Sequence, residues 1–448
     1  MGRRFIAVAA IALSGACARS PGTASGAAVI GGSDVPRSIT LTPQTVVVQD
    51  GARAVKSISA DGATITLAAS SPGAGDLKPG SVVLIRGVEV VKASGVKREG
   101  DAVVITAEPA AITDLIQNGE IRWSAVKLDL RRGAIHTVPQ SPSTTTARAP
   151  SLTTGAAPFL AITLPPLPPA ADGDRFSGKL KDFDYEGGFS GEDDRMSADV
   201  HLYGETHGVK VDVAADGHIS NFTFGGRIAI RDGKADNVNL LLDKLDGEVN
   251  LRGSVSRAAG ADHGGQQLLE IPQRYEIPVI IEGIPFVVTF KFALLLNEGL
   301  TNVGGSVTAA AHLKLNGSHG AEWHIPGEPK AEPVPKAEGE TSLDFDLTRS
   351  EGAGLGPQAL LVAIQYPWVG LGLGFGVAHA GPFVDVVTAA STTVSGAAAI
   401  IPCKRGEVYI TGSVGLEAKF LLLTKSIRTP IYQKNIHKVS PNIKACQG

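Results

Sequence analysis

The chain has 448 residues, 43% of them apolar, and a formal charge of -3. That length exceeds one ordinary core and suits two or three domains, and the near-neutral balance leaves no basic stripe for nucleic acid. Glycine (54) is abundant while Met (2), Trp (3) and Tyr (6) are scarce. With Val, Ile and Thr recurring in short runs, the composition favours strands and turns over helices.

Residues 1–18 read as an export signal: Arg3 and Arg4 supply a positive start, residues 5–13 a short apolar run, and residues 14–18 are mostly small. The apolar run is too short to span a bilayer. Ser14-Gly15-Ala16-Cys17 resembles a bacterial lipobox, with Ser14 where Leu is usual, which implies a lipid anchor on Cys17. Ala16-Cys17-Ala18 has the form cut by ordinary signal peptidase, so lipidation and free secretion are both open. Residues 19–37 are rich in Gly, Ala and Ser and read as a flexible tether. Apart from Cys17 there are two cysteines, Cys403 and Cys446. In an oxidising compartment they are candidates for a disulfide, and closing so long a loop is worth roughly 4 kcal/mol on the chain-entropy model.

Residues 38–137 carry short β-branched runs divided by Asp50-Gly51 and Asp61-Gly62, and predict a small β-barrel or sandwich. Val55-Lys56, Asp61-Gly62 and Ile65-Thr66 are echoed by Val91-Lys92, Gly100-Asp101 and Ile105-Thr106, which predicts a repeated hairpin. One short helix is expected after Pro109, with Ile112, Leu115 and Ile116 on one face and Gly119 as its stop. Residues 138–172, with Pro139, Pro142, Pro150, Pro165, Pro166, Pro168 and Pro169, read as an extended linker.

Residues 173–448 predict a larger antiparallel β-sandwich or open barrel. Val209, Val211 and Val213 alternate with Lys210 and Asp212, and Val238, Leu240 and Leu242 with Asn239 and Leu241, giving strands with one buried face, and Asp216-Gly217, Asp232-Gly233 and Asp246-Gly247 read as hairpin turns. Residues 286–296 are apolar on both faces, which fits a central strand first and a ligand groove second. Residues 326–340 read as an exposed excursion, and Leu360, Leu361 and Ile364 suggest a helix over 357–365. In residues 370–377, Gly370, Gly372, Gly374 and Gly376 share one strand face, a smooth surface that a neighbouring layer or a ligand can approach closely.

Asp182, Asp184, Glu186, Glu192, Asp193, Asp194 and Asp199 offer hard oxygen ligands of the kind Ca²⁺ takes, but Asp182 and Asp184 alternate with Phe183 and Tyr185 as the polar side of a strand would, and no known calcium-loop pattern is present. No cofactor is therefore expected. His201, Glu205 and His207, and His319, Glu322 and His324, lack metal-site spacing and read as exposed loop histidines. G-x-S-x-G, G-x-x-x-x-G-K, H-E-x-x-H and C-x-x-C are all absent. Aromatics at 5% are too few for the girdles of an outer-membrane barrel.

These features predict an all-β, exported, non-catalytic protein of the envelope or secreted space, presenting a binding or structural surface to a protein or glycan partner. Its membrane contact is expected only through a lipid on Cys17. One rival is a carrier of a lipid or other apolar ligand, with Phe286, Phe290, Phe292, Trp368, Gly370, Gly372, Gly374 and Gly376 as the candidate surface. Another is a secreted hydrolase using two carboxylates.

Overall fold

A computed structural model describes residues 28–32, 34–59, 62–137, 174–180, 182–206, 209–257, 266–299, 305–324, 332–338, 341–346, 358–373, 380–394, 404–420 and 423–439. The N-terminal part contains β1 (Ala28–Ile30), β2 (Thr40–Leu41), β3 (Thr45–Val48), β4 (Val55–Ile58), β5 (Thr64–Ala68), β6 (Val82–Ile85), β7 (Glu89–Glu99) and β8 (Ala102–Pro109). One helical turn, α1 (Ile112–Leu115), leads into β9 (Ile116–Val126) and β10 (Ala134–Thr137). Then come β11 (Asp174–Leu180), β12 (Phe183–Gly191), β13 (Arg195–Thr206), β14 (Val209–Ser220), β15 (Thr223–Arg231), β16 (Lys234–Arg257), β17 (Gln266–Ile281) and β18 (Ile284–Gly299). The last strands are β19 (Gly305–His324), β20 (Glu332–Glu338), β21 (Thr341–Asp346), β22 (Gln358–Leu373), β23 (Ala380–Val394), β24 (Lys404–Phe420) and β25 (Leu423–Val439).

The protein is all-β, in three sheets of six, eight and eleven strands, none closed into a barrel. The six-stranded sheet runs β3-β6-β7-β8-β5-β4. The repeated hairpin is present as β4-β5 and β7-β8, and the two copies meet through β5 and β8, with Ile65 opposite Ile105. Asp50-Gly51 does not close a hairpin, because β3 pairs in parallel with β6 and the chain leaves it through a 3-10 turn over Gly51–Ala54. Every residue of β6 is buried. Val83 and Ile85 fill the small sheet's own core, while Val82 and Leu84 join the larger core that spans the other sheets.

The helix ends one turn earlier than the spacing suggests. Ile116 starts a strand whose partners are β2 and β15, and pairing over eleven residues outweighs one more helical turn. Gly119 is not its stop but lies in that strand with φ 144°, where a Cβ would sit 2.9 Å from Ile39 Cα. Residues 116–137, expected in the small domain, are thus hydrogen-bonded to the large sheets, with β9 on β15 and β10 on β17.

The eleven-stranded sheet is organised by β16, a strand of 24 residues. One edge of β16 pairs first with β15 and then with β14, and the other pairs with β19 along its length, with Lys244 at φ 58° where the register shifts. Val238, Leu240 and Leu242 are buried, as their alternation requires. Asp232-Gly233 makes the expected turn, with φ 50° and 68° at its two residues. Asp216-Gly217 and Asp246-Gly247 do not turn: both lie inside paired strands, Gly217 opposite Val249 and Gly247 opposite Ile219. A Cβ on Gly217 would come 2.5 Å from the Glu248 carbonyl oxygen, so closeness of the neighbouring strand, not backbone hand, accounts for that glycine.

The eight-stranded sheet runs β1-β17-β18-β22-β23-β24-β25, with β10 also on β17. Its inner face carries Tyr275, Ile277, Val279, Phe286, Val288, Phe290, Val369 and Leu371, which share one apolar core with Phe183, Phe189, Val200, Leu202, Val213, Phe222 and Phe224 of the eleven-stranded sheet. The expected helix over 357–365 is instead the start of β22, held between β18 and β23. A short apolar run satisfies either period, and the two flanking strands decide. In the stretch read as an exposed excursion, residues 332–338 form β20 against the end of β19. The linker at 138–172 and the signal at 1–18 lie outside the described residues.

Candidate functional site

Strand alternation sends the apolar residues of β12, β13 and β14 inward and leaves their polar partners on one outer face. Strand register then aligns those polar residues in rows across the sheet. Arg175, Gly188, Asp199, Asp216, Asn250 and His312 form one row over β11, β12, β13, β14, β16 and β19. The next row is Ser177, Glu186, His201, Ala214 and Arg252, and the next Lys179, Asp184, Tyr203, Asp212 and Ser254.

Side chains tie neighbouring strands together along these rows. Arg175 Nη1 donates to both oxygens of Asp199, at 2.7 and 2.8 Å. His201 lies between Glu186 Oε1, 3.3 Å from Nδ1, and Asp212 Oδ1, 3.0 Å from Nε2. The hydrogen bond with Asp212 is the main cause that lifts the His201 pKa above its ordinary value; the Asp212 charge and Glu186 add to it, and burial opposes them. His312 Nδ1 lies 2.6 Å from Asn250 Oδ1 and its Nε2 lies 2.9 Å from Glu248 Oε1, while Asn250 Nδ2 donates to Asp216 at 2.8 Å. His218 is opposite Glu248 in the ladder, and burial, followed by the charge of Arg195, lowers its pKa.

Tyr203 stands beside His201 with ring centroids 4.9 Å apart. At 41% exposed it is one of two large apolar residues, with Val29, left open among the described residues. Asp184 and Asp212 flank it on the adjoining strands. An exposed aromatic ring with carboxylates on both sides can stack on an apolar or cationic group and accept hydrogen bonds around it. The arrangement does not suit acid-base catalysis by His201, since both of its ring nitrogens already face carboxylates.

The surface suggested for an apolar ligand does not assemble on one face. Phe286 and Phe290 point into the core between the sheets, Phe290 in edge contact with Phe222 at 6.4 Å. Trp368, Gly370 and Gly372 pair with Lys291, Thr289 and Val287 and lie on the opposite face. There Lys291 Nζ sits 4.0 Å from the centre of the Trp368 ring, which stacks on Phe383. All three side chains are buried. From Ile284 to Lys291 both faces of β18 are closed, as a central strand requires. Phe292 falls in β18 at a register shift, while Gly374, Gly376, Cys17, Cys403 and Cys446 lie outside the described residues.

The acidic residues do not gather. Phe183 and Tyr185 are buried with Asp184 and Glu186 facing outward, Asp199 is taken by Arg175, and Glu192, Asp193 and Asp194 are exposed at the turn from β12 to β13. Among the described residues no group of three or more His, Cys, Asp or Glu side chains is placed to hold a metal ion. The loop reading of the histidines is corrected for three of them: His201 lies in β13, and His319 and His324 lie in β19. His319 is 5% exposed beside Leu242, and burial brings its pKa down to about 4. Glu322 accepts from Asn237 Nδ2 at 2.7 Å, and His207 is outside the described residues. Tyr203, Asp212 and His312 were not singled out by spacing, because they meet Glu186, His201 and Asn250 only through strand register.

Comparison with known families adds two matches. A model described as a domain of unknown function, DUF8402, matches residues 164–426, more than half of the chain. The chain belongs to the DUF8402 family. A second domain of unknown function, DUF8403, matches residues 28–118. The DUF8402 match contains β11 through β24 and hence the whole polar face. No curated protein and no solved structure matches the chain. No helix among the described residues is long and apolar enough to cross a membrane.

Proposed function

We propose that this DUF8402 chain is an exported, non-catalytic binding module that offers the outer face of its eleven-stranded sheet to a protein or glycan partner. The observation that carries the reading is Tyr203, an exposed ring flanked in register by Asp184 and Asp212 and steadied by His201. The strands beneath have their backbone groups committed to the ladder, so a partner meets side chains alone. Export rests on Arg3, Arg4 and the apolar run that follows them, with Cys17 as the residue for a lipid anchor and Cys403 with Cys446 as the disulfide. The carrier reading is weaker, because Phe286 and Phe290 are spent on the core between the sheets.

The test places a photo-crosslinking residue at position 203 in the full chain and a control at Arg231, at the end of β15. The same chain and its Tyr203→Ala variant are applied to a glycan array. A single partner captured from position 203 and not from 231, or a glycan whose retention needs Tyr203, supports the proposal. Equal labelling at both positions with no Tyr203-dependent glycan refutes it.

A further inference from the structure

The contacts of His201 favour its charged form. Glu186 Oε1 and Asp212 Oδ1 are carboxylate oxygens, which at neutral pH only accept hydrogen bonds. A neutral imidazole has one N–H and one lone pair, so it satisfies one of the two and turns a lone pair on the other. Only the doubly protonated ring donates to both.

We propose that protonation sets the state of the polar face, with the His201 imidazolium as a staple joining β12, β13 and β14. When the ring gives its proton to water, one acceptor contact becomes repulsive and the face loses one positive charge. The consequence for binding rests on the proposed function, since a partner at Tyr203 would then meet Glu186 and Asp212 no longer bridged by a cation.

The surrounding charges do not undo this balance. Facing His201 are Glu186 and Asp184 from β12 and Asp199 from its own strand, with Asp212, Asp216 and Lys210 from β14. Arg252 on β16 stands beyond the small Ala214, and Arg175 and Lys179 lie on β11 behind β12. Arg175 is occupied by Asp199, and Lys210 is near Glu205. The two hydrogen-bonding contacts of the His201 ring are therefore both anionic.

The experiment is an NMR titration of the free full-length chain with labelled histidine rings, from pH 5 to 9, with His201→Gln used to assign the signal. The expected result is a His201 pKa above the ordinary value of about 6.5 that moves down in Asp212→Asn. Glu186→Gln moves it the same way by less and serves as the second variant should Asp212→Asn misfold. A His201 signal at or below the ordinary value, or one unmoved by both variants in folded protein, overturns the staple. Because the titration uses no partner, its failure is distinct from failure of the crosslinking at position 203.

Discussion

Replacing Phe290 by Ala distinguishes a buried central strand from the floor of a ligand groove. The Phe290 side chain is fully buried, meets Phe222 edge-on, and has Tyr275 and Val369 as its strand neighbours. Removing such a ring from a packed core costs about 3–5 kcal/mol, the transfer energy of the ring plus the cavity it leaves. With a urea slope of about 3 kcal/mol/M, the unfolding midpoint falls by about 1 M or more at unchanged slope. Phe286→Ala, on the same face and 2% exposed, is expected to behave alike. Equilibrium unfolding of the full chain by intrinsic fluorescence and circular dichroism reads both. If either variant loses less than about 0.5 kcal/mol, the range of ordinary surface substitutions, the ring is not core and the groove reading returns.

Thr289 is fully buried on the opposite face of the same strand, and its hydroxyl has no hydrogen-bond partner among the described residues. Thr289→Val keeps the shape and removes the stranded polar group, so it is expected to stabilise the fold by about 1 kcal/mol, and a loss of stability in the same unfolding assay would show that the hydroxyl is bonded. His319 titrates in the opposite sense from His201. Its folded pKa lies near 4, below the ordinary value, so the unfolded chain takes up the proton first and stability falls as pH drops from about 6.5 toward 4, by about 3 kcal/mol in all. His319→Gln is expected to flatten that part of the stability profile, and a profile unchanged by the substitution would place the acid sensitivity elsewhere. For His201, with its pKa raised, the contribution is present below about 6.5 and is lost as pH rises through the folded value.

Strand content and polarity were legible because they are local. The alternation in Val238, Leu240 and Leu242 marks one buried face whatever the partner, and the double apolar face read at 286–296 marks a strand covered on both sides, which the structure shows for 286–291. Asp-Gly pairs show where local preference stops being enough. Asp232-Gly233 turns with both residues at positive φ, whereas Asp216-Gly217 and Asp246-Gly247 run straight through paired strands because neighbouring backbone comes close there. Glycine serves both needs, and the dipeptide does not say which.

The short apolar segments divided in the same way. Leu360, Leu361 and Ile364 satisfy a helical period as well as a strand, and pairing with β18 and β23 settled it. The candidate site depended almost wholly on such pairing. Glu186, His201 and Asp212 are separated along the chain by residues that carry no sign of their meeting, and one step of register would turn His201 into the core and break the arrangement. By itself the amino-acid sequence determined the all-β class, the buried character of the central strands and the polarity of their outer faces, since these follow from side-chain period and hydrophobicity. Only the tertiary structure decided which strands are neighbours, that residues 116–137 belong to the large sheets, and that Tyr203 and His201 share a face with Glu186 and Asp212, because register between distant strands is a property of the assembled core.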